Sequence, residues 1–336
     1  MNGINNISSM DFLKNLRGFR ELGLVVFIIS ISVLIGARNP RFLTWGNLHD
    51  MLLDTSILSI LAIGMMIVLV TGGIDLSAES GVALTGMIVG LTLLRYPAIP
   101  AVFTLFMGIG LGAGFGAITG AIVARGRVIP IIATLGMMYV YRGLTFMVSG
   151  GRWVNAYEMP DDFKAMATGR ILGFSNLILI AIVVYIIFTY FINHTETGRQ
   201  IFAVGSNLEA ARIIGIKTNR IIWLVYTLSG ALYGLAGVMW IARYASAQSD
   251  SASGYVFTIV AACVLGGVAI TGGVGSISGI LLGSITIGII NNALPMIRVS
   301  PFWRMALTGA IILVAVIVNI AITRNIERKA LLQRKI

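Results

Sequence analysis

TGGIDLSAES, residues 71–80, separates an apolar run at 51–70 from another at 80–94. A glycine pair and two acids there mark a break between two membrane-length segments, and the rest of the 336-residue chain repeats that alternation. Hydrophobic residues make up 57% of it, charged residues only 11%, and mean hydropathy is +0.93. A soluble domain would carry about a quarter charged residues. Apolar runs of about twenty residues are the length of bilayer-crossing helices. Barrel strands alternate with period two, and these runs do not. The fold class is therefore an all-α polytopic membrane protein.

Ten apolar segments are predicted, at 22–37, 51–70, 80–94, 99–124, 128–149, 173–193, 220–241, 255–271, 275–293 and 302–323. The shortest, 22–37 and 80–94, are marginal spans. An even number puts both termini on one side. Of the 24 Lys and Arg, fourteen then fall in the inner segments, eight in the outer ones, and Arg142 and Arg304 within spans. That bias places both termini in the cytoplasm. The expected organisation is a cytoplasmic segment 1–21, one membrane domain 22–323 with an inner loop at 194–219, and a basic tail 324–336. The run Leu22 to Ala37 ends in RNPRF without a small-residue cleavage site, so it reads as a retained first helix.

The net charge of +11 suits basic residues anchoring inner loops beside anionic lipid rather than binding nucleic acid. Cys263 is the single cysteine, which excludes an internal disulfide and a cysteine-based metal site. No metal site or cofactor is expected.

The acids of 71–80 have two readings. Gly72-Gly73 ends one helix, Asp75 or Ser77 caps the next, and Glu79 sits in its first turn, where the helix dipole favours a negative charge. In this reading both acids lie near a membrane surface. Alternatively, a broken helix presents Asp75, Ser77 and Glu79 to a solute pathway or a moving interface.

The inner loop reads HTETGRQIFAVGSNLEAARIIGIKTNR, 194–220. Ser206 to Glu209 fits the capping-box spacing. Leu208, Ala211 and Ile214, with or without Ile213, form one face of a short helix ending at Gly215. So short a helix needs a surface to rest on. That surface is either lipid or a cytoplasmic protein whose motion it transmits.

Forty glycines concentrate in stretches such as GIGLGAGFGAITGA, 108–121, where tight helix packing is expected. VLGGVAITGGVGSISG, 264–279, reads as a helix–turn–helix re-entry with glycines at positive φ. No lysine follows a glycine, so the chain has no nucleotide-binding P-loop. The triplet TGG recurs at 71–73 and 271–273, too short a match to establish a repeat. Polar residues inside predicted spans are Arg142, Asn291, Asn292, Arg304 and Asn319, either pathway groups or interhelical hydrogen-bonding groups. The two histidines, His49 and His194, fall in predicted loops, and no nucleophile–base motif appears, so no enzyme activity is expected. With no acid placed near mid-membrane, an ion-coupled secondary carrier is the weaker reading.

Four stretches carry a family resemblance: TGGIDLS (71–77), IPIIATLGMMYVYRG (129–143), TGRQIFAVGSNLEAARIIGI (197–216) and AACVLGGVAITGGVGSISGILLG (261–283). The chain resembles permease subunits of bacterial ABC importers for monosaccharides, the ribose, autoinducer-2 and rhamnose group. SGGRWVNAYEMPDDF and NNALPMIRVSPFWRMALTGA look most like the rhamnose-type branch. The resemblance implies a type II importer architecture in the inner membrane with about ten helices, and a pathway between two permease subunits, identical or sister chains. It implies a cytoplasmic ATPase, where ATP is hydrolysed, and an extracytoplasmic sugar-binding protein. The residues it implies for ATPase coupling are Ser206, Asn207, Leu208, Glu209, Ala210, Ala211, Arg212 and Gly215. Glu79 departs from the usual pattern, which has a small residue there.

Overall fold

In the computed structural model the described residues are 9–171, 173–298 and 300, with 302, 303, 305, 306, 309, 310, 313 and 317; side chains are described from residue 21. Twelve helices are described: α1 Ser9–Arg38, α2 Trp45–Val70, α3 Ala78–Arg95, α4 Ala101–Ala124, α5 Pro130–Ser149, α6 Asp161–Thr168, α7 Asn176–His194, α8 Glu196–Ser206, α9 Leu208–Ile213, α10 Thr218–Tyr244, α11 Tyr255–Leu265 and α12 Ile277–Met296. Arg170–Ile171 (β1) and Phe174–Ser175 (β2) form a minimal antiparallel hairpin.

Eight of these helices are long and apolar enough to cross a membrane. The segment expected at 255–271 differs. Its helix, α11, has eleven residues and rises about 16 Å, short of a bilayer core. Gly266 and Gly267, the latter at φ +80°, end it. Irregular chain flanks it on both sides. Ala247 pairs with Val154 at one end of the bundle, and Gly273 bonds Val70 at the other. The expected segment 302–323, with Arg304 and Asn319, falls largely outside the described residues.

α2 is the central helix, buried from Thr55 through Val70, with α10, α7, α11 and α12 around it. At one end Arg243 of α10 reaches Asp50 and Asp54 of α2, at 3.2 and 3.3 Å. Asn47 and Asn292 exchange hydrogen bonds of 2.9 and 3.0 Å between α2 and α12.

The closest helix contact is α4 on α10. Gly108, Gly112, Gly116 and Gly120 line one edge of α4 at four-residue spacing, and Gly230 and Gly234 face them from α10. A Cβ on Gly112 would lie 2.6 Å from the Gly234 Cα and overlap the Gly230 carbonyl. Where lipid surrounds a bundle, apolar burial gains little, and backbone-to-backbone packing of this kind holds helices together. Gly110 and Gly114, on the other edge of α4, would meet nothing within 4 Å.

Candidate functional site

The two TGG triplets meet in space. α2 ends at Val70, Gly72 turns at φ +80°, and residues 71–77 fold back into the bundle before α3 begins. The Gly273 N–H donates to the Val70 carbonyl at 2.8 Å. A Cβ on Gly272 would lie 2.9 Å from the Gly205 carbonyl and 3.1 Å from the Gly72 nitrogen. A Cβ on Gly205, near the end of α8, would collide with the Val70 carbonyl oxygen. Both breaks and the end of α8 therefore approach one another backbone to backbone. Non-helical chain survives inside a membrane protein only where protein or a cavity satisfies its polar groups. Here Thr134 Oγ1 and the Tyr226 hydroxyl donate to the Ile74 carbonyl, at 3.2 and 3.3 Å.

Asp75 is fully buried inside the bundle. Its Oδ1 accepts from the Ser77 N–H at 3.1 Å and the Ser77 hydroxyl at 2.5 Å, and its Oδ2 accepts from the Ser229 hydroxyl at 3.3 Å. Ser229 is the twelfth residue of α10, about 16 Å along it from Thr218. The returning chain carries Asp75 to that depth. Ser77 occupies the N-cap position of α3 but makes no side-chain cap; its hydroxyl is turned to Asp75.

Glu79 does sit in the first turn of α3, and its carboxylate serves a longer-range purpose. It accepts from the Val256 N–H at 3.2 Å and lies 3.6 Å from the Arg142 guanidinium. Arg142 Nη1 donates to the Ser249 and Ser251 carbonyls at 2.8 and 3.0 Å. Arg142 therefore bonds two carbonyls and pairs with an acid, all on segments outside α5. Both side chains are largely buried, 8% exposed for Glu79 and 17% for Arg142. Together they hold the connection from α10 to α11. That connection includes Ala245 and Ala252 at φ +48° and +57°, conformations that L residues rarely adopt.

The loop at 194–219 is more helical than expected. α8 occupies 196–206, with the Thr195 hydroxyl capping it through the Gly198 N–H. Because α8 runs through Ser206, the expected capping box does not form. Asn207 is the cap of α9 instead, accepting from the Ala210 N–H at 2.9 Å. Glu209 pairs with Arg212 at 2.8 Å. Ala211 is buried and Leu208 half-buried, whereas Ile214 leaves the expected face: Ile213 and Ile214 are 85% and 73% exposed. The helix stops where glycine was expected to stop it, with Gly215 at φ +88°.

Asn291 and Asn292 are not brought to the acids. Asn292 bonds Asn47, and Asn291 is half-buried on the same turn of α12. His49 lies buried in α2 and His194 ends α7, so neither is in a loop. In the segment before α6, the Asn155 N–H donates to Glu158, which also pairs with Arg152; these contacts hold its carboxyl below the usual glutamate range. Among the described residues no cluster of three or more His, Cys, Asp or Glu is arranged to hold a metal. Sequence reasoning missed Gly205, Ser229 and the Ser249–Ser251 carbonyls. Nothing local in the sequence marks them.

A family profile described as "Branched-chain amino acid transport system / permease component" matches residues 47–316. The ribose import permease protein of Escherichia coli strain K12 is 40% identical over 89% of this chain and 93% of its own length. The L-arabinose ABC transporter permease protein of Azospirillum brasilense is 34% identical over 88% and 86%. The autoinducer 2 import system permease protein of Enterobacter sp. strain 638 is 31% identical over 90% and 87%. No solved structure matches at a significant level.

Proposed function

This chain belongs to the branched-chain amino acid transport system permease component family, and from that premise we propose that it forms the pathway of an ATP-driven, binding-protein-dependent monosaccharide importer. Both termini and α8–α9 face the cytoplasm, and a second permease subunit, identical or sister, completes the pathway. The substrate is a rhamnose-like, ribose-like or autoinducer-2-like sugar. The ribose, arabinose and autoinducer-2 names belong to the relatives, and the rhamnose reading rests on 149–163 and 291–310.

The observation that carries the proposal is α9. Six residues are too few for an independent helix, and the exposed Ile213 and Ile214 end it with apolar surface turned outward. A cytoplasmic ATPase docks there. Its closure moves α9, then α8, then the Gly205 junction with both broken turns. The α4–α10 glycine seam lets bundles rock while sugar passes between subunits. A neutral sugar needs hydrogen-bonding groups rather than charge, and the buried Glu79 and Arg142 neutralise each other.

Two substitutions test the route. Gly215→Val meets no neighbouring atom within 4 Å but strains a backbone at φ +88°. It is expected to leave expression normal while ATP hydrolysis no longer drives uptake; unchanged uptake would remove α9 from the coupling path. Gly205→Val strikes the Val70 carbonyl. It is expected to abolish uptake with the ATPase still bound, and wild-type uptake would break the proposed transmission at that junction.

A second reading draws on Asp75. Asp75 is fully buried beside Ser229 of α10, and among the described residues it has hydroxyls around it rather than a cation. Such a group serves ion coupling in secondary carriers. Uptake into vesicles separates the two. The importer requires ATP and binding protein and ignores a proton ionophore, and Asp75→Asn retains uptake. Ionophore-sensitive, ATP-independent uptake would favour the carrier. A pull-down from mildly solubilised membranes, with mass spectrometry, should recover an ATPase, a sugar-binding protein and any sister permease.

A further inference from the structure

We propose that the cleft between α8 and α10 is a binding site for the headgroup of an anionic phospholipid. The cleft encloses about 750 Å³, within the range that holds small ligands. Its rim carries Arg199 from α8, Lys217 from the α9–α10 connection and Arg220 from the first turn of α10. Among the described residues no carboxylate lies within 4 Å of any of the three. Glu196 is the acid in the wall, and it accepts a hydrogen bond from Gln200 at 2.8 Å.

The floor is of another kind. Trp223 and Leu224 are half-buried five and six residues beyond Thr218, about 8 Å into membrane-length α10. Trp223 is fixed by its indole N–H donating to the Ala117 carbonyl at 3.1 Å. The cleft thus asks for an anionic head at its rim and apolar chain along its floor. Basic pockets between helices at a membrane face, with tryptophan at headgroup depth, have that character. A neighbouring cavity of about 320 Å³ shares Ile216 and Lys217 and adds Arg127 and Arg212, extending the positive surface. Arg212 is already held by Glu209, so Arg199, Lys217 and Arg220 supply the free charge. Docking of an acidic protein surface would use the rim but leave Trp223 and Leu224 without a purpose.

Native mass spectrometry of the purified permease tests the site, with phosphatidylglycerol, phosphatidylcholine and inorganic phosphate as separate probes. Wild type should retain phosphatidylglycerol at least about tenfold better than phosphatidylcholine, and millimolar phosphate should not compete. Lys217→Ala/Arg220→Ala should lose that preference, while Lys164→Ala, on α6, keeps it. All three positions are exposed or half-buried, and thermal unfolding checks that each variant is folded. Equal retention of both lipids, or an unchanged preference in the double variant, would overturn the proposal. Full competition by phosphate would reassign the cleft to a free anion. Unchanged lipid retention with lost ATPase co-purification would reassign it to protein docking.

Discussion

Gly112→Leu is expected to prevent recovery of folded protein, whereas Gly114→Leu, two residues along the same helix, is expected to be recovered normally. The difference lies in what a side chain meets. At Gly112 the α10 backbone stands where a Cβ would go, 2.6 Å away at the Gly234 Cα. Backbone cannot rotate aside as a side chain can, so α4 and α10 must separate along the whole glycine edge. Overpacking ordinarily costs about 1–3 kcal/mol, and this case falls at or above the upper end. Gly114 has nothing within 4 Å, so its substitution should shift stability by about 0.5 kcal/mol or less. Monodisperse yield in detergent and thermal unfolding measure both. Similar yields for the two variants would mean that the α4–α10 approach does not hold this fold together.

Arg142→Met is expected to destabilise the protein by about 3–5 kcal/mol, the cost of stranding a buried charge partner. It removes the ion pair to Glu79 and frees the Ser249 and Ser251 carbonyls at once. Glu79→Gln should cost less, about 1–2 kcal/mol, because the amide oxygen still accepts from the Val256 N–H. In the double variant Glu79→Met/Arg142→Met no charge is left stranded. Its cost should fall below the sum of Arg142→Met and Glu79→Met by about 1–3 kcal/mol. Unfolding by denaturing detergent supplies the cycle. Strict additivity would show that the two side chains act separately on the α10–α11 connection.

The helical membrane class and most span positions were legible because hydropathy over twenty residues is a local property. So were the glycine edge on α4, the stop at Gly215 and the positive-φ turn near 267–273. What escaped was set by tertiary contact. Residues 71–77 left two readings, a helix cap or a broken helix beside a pathway, because nothing in TGGIDLS says that the chain folds back beside Ser229. Ser206 read as a cap because its spacing to Glu209 fits, yet α8 had already consumed it. The eleven-residue α11 read as a full span because residues 266–271 continue its apolar character without continuing its helix. Asp75, Glu79, Arg142 and the α9 residues were all nominated from sequence; the α9 residues pair locally, but the partners of the other three include residues far away in the chain, at 229, 249, 251 and 256.

Cys263 sits fully buried in α11, its thiol directed at the Ala62 carbonyl at 3.3 Å, and no other cysteine occurs in the chain. To an impermeant maleimide the natural protein is therefore a blank. A single cysteine placed at Glu209 or at Tyr157 gives one reactive thiol without removing any native residue's sulfur chemistry. A pair of such sites, carrying fluorophores, reports distances across the protein during turnover against a silent background. With its single thiol buried, the natural sequence serves in place of the cysteine-free parent that spectroscopy usually has to engineer.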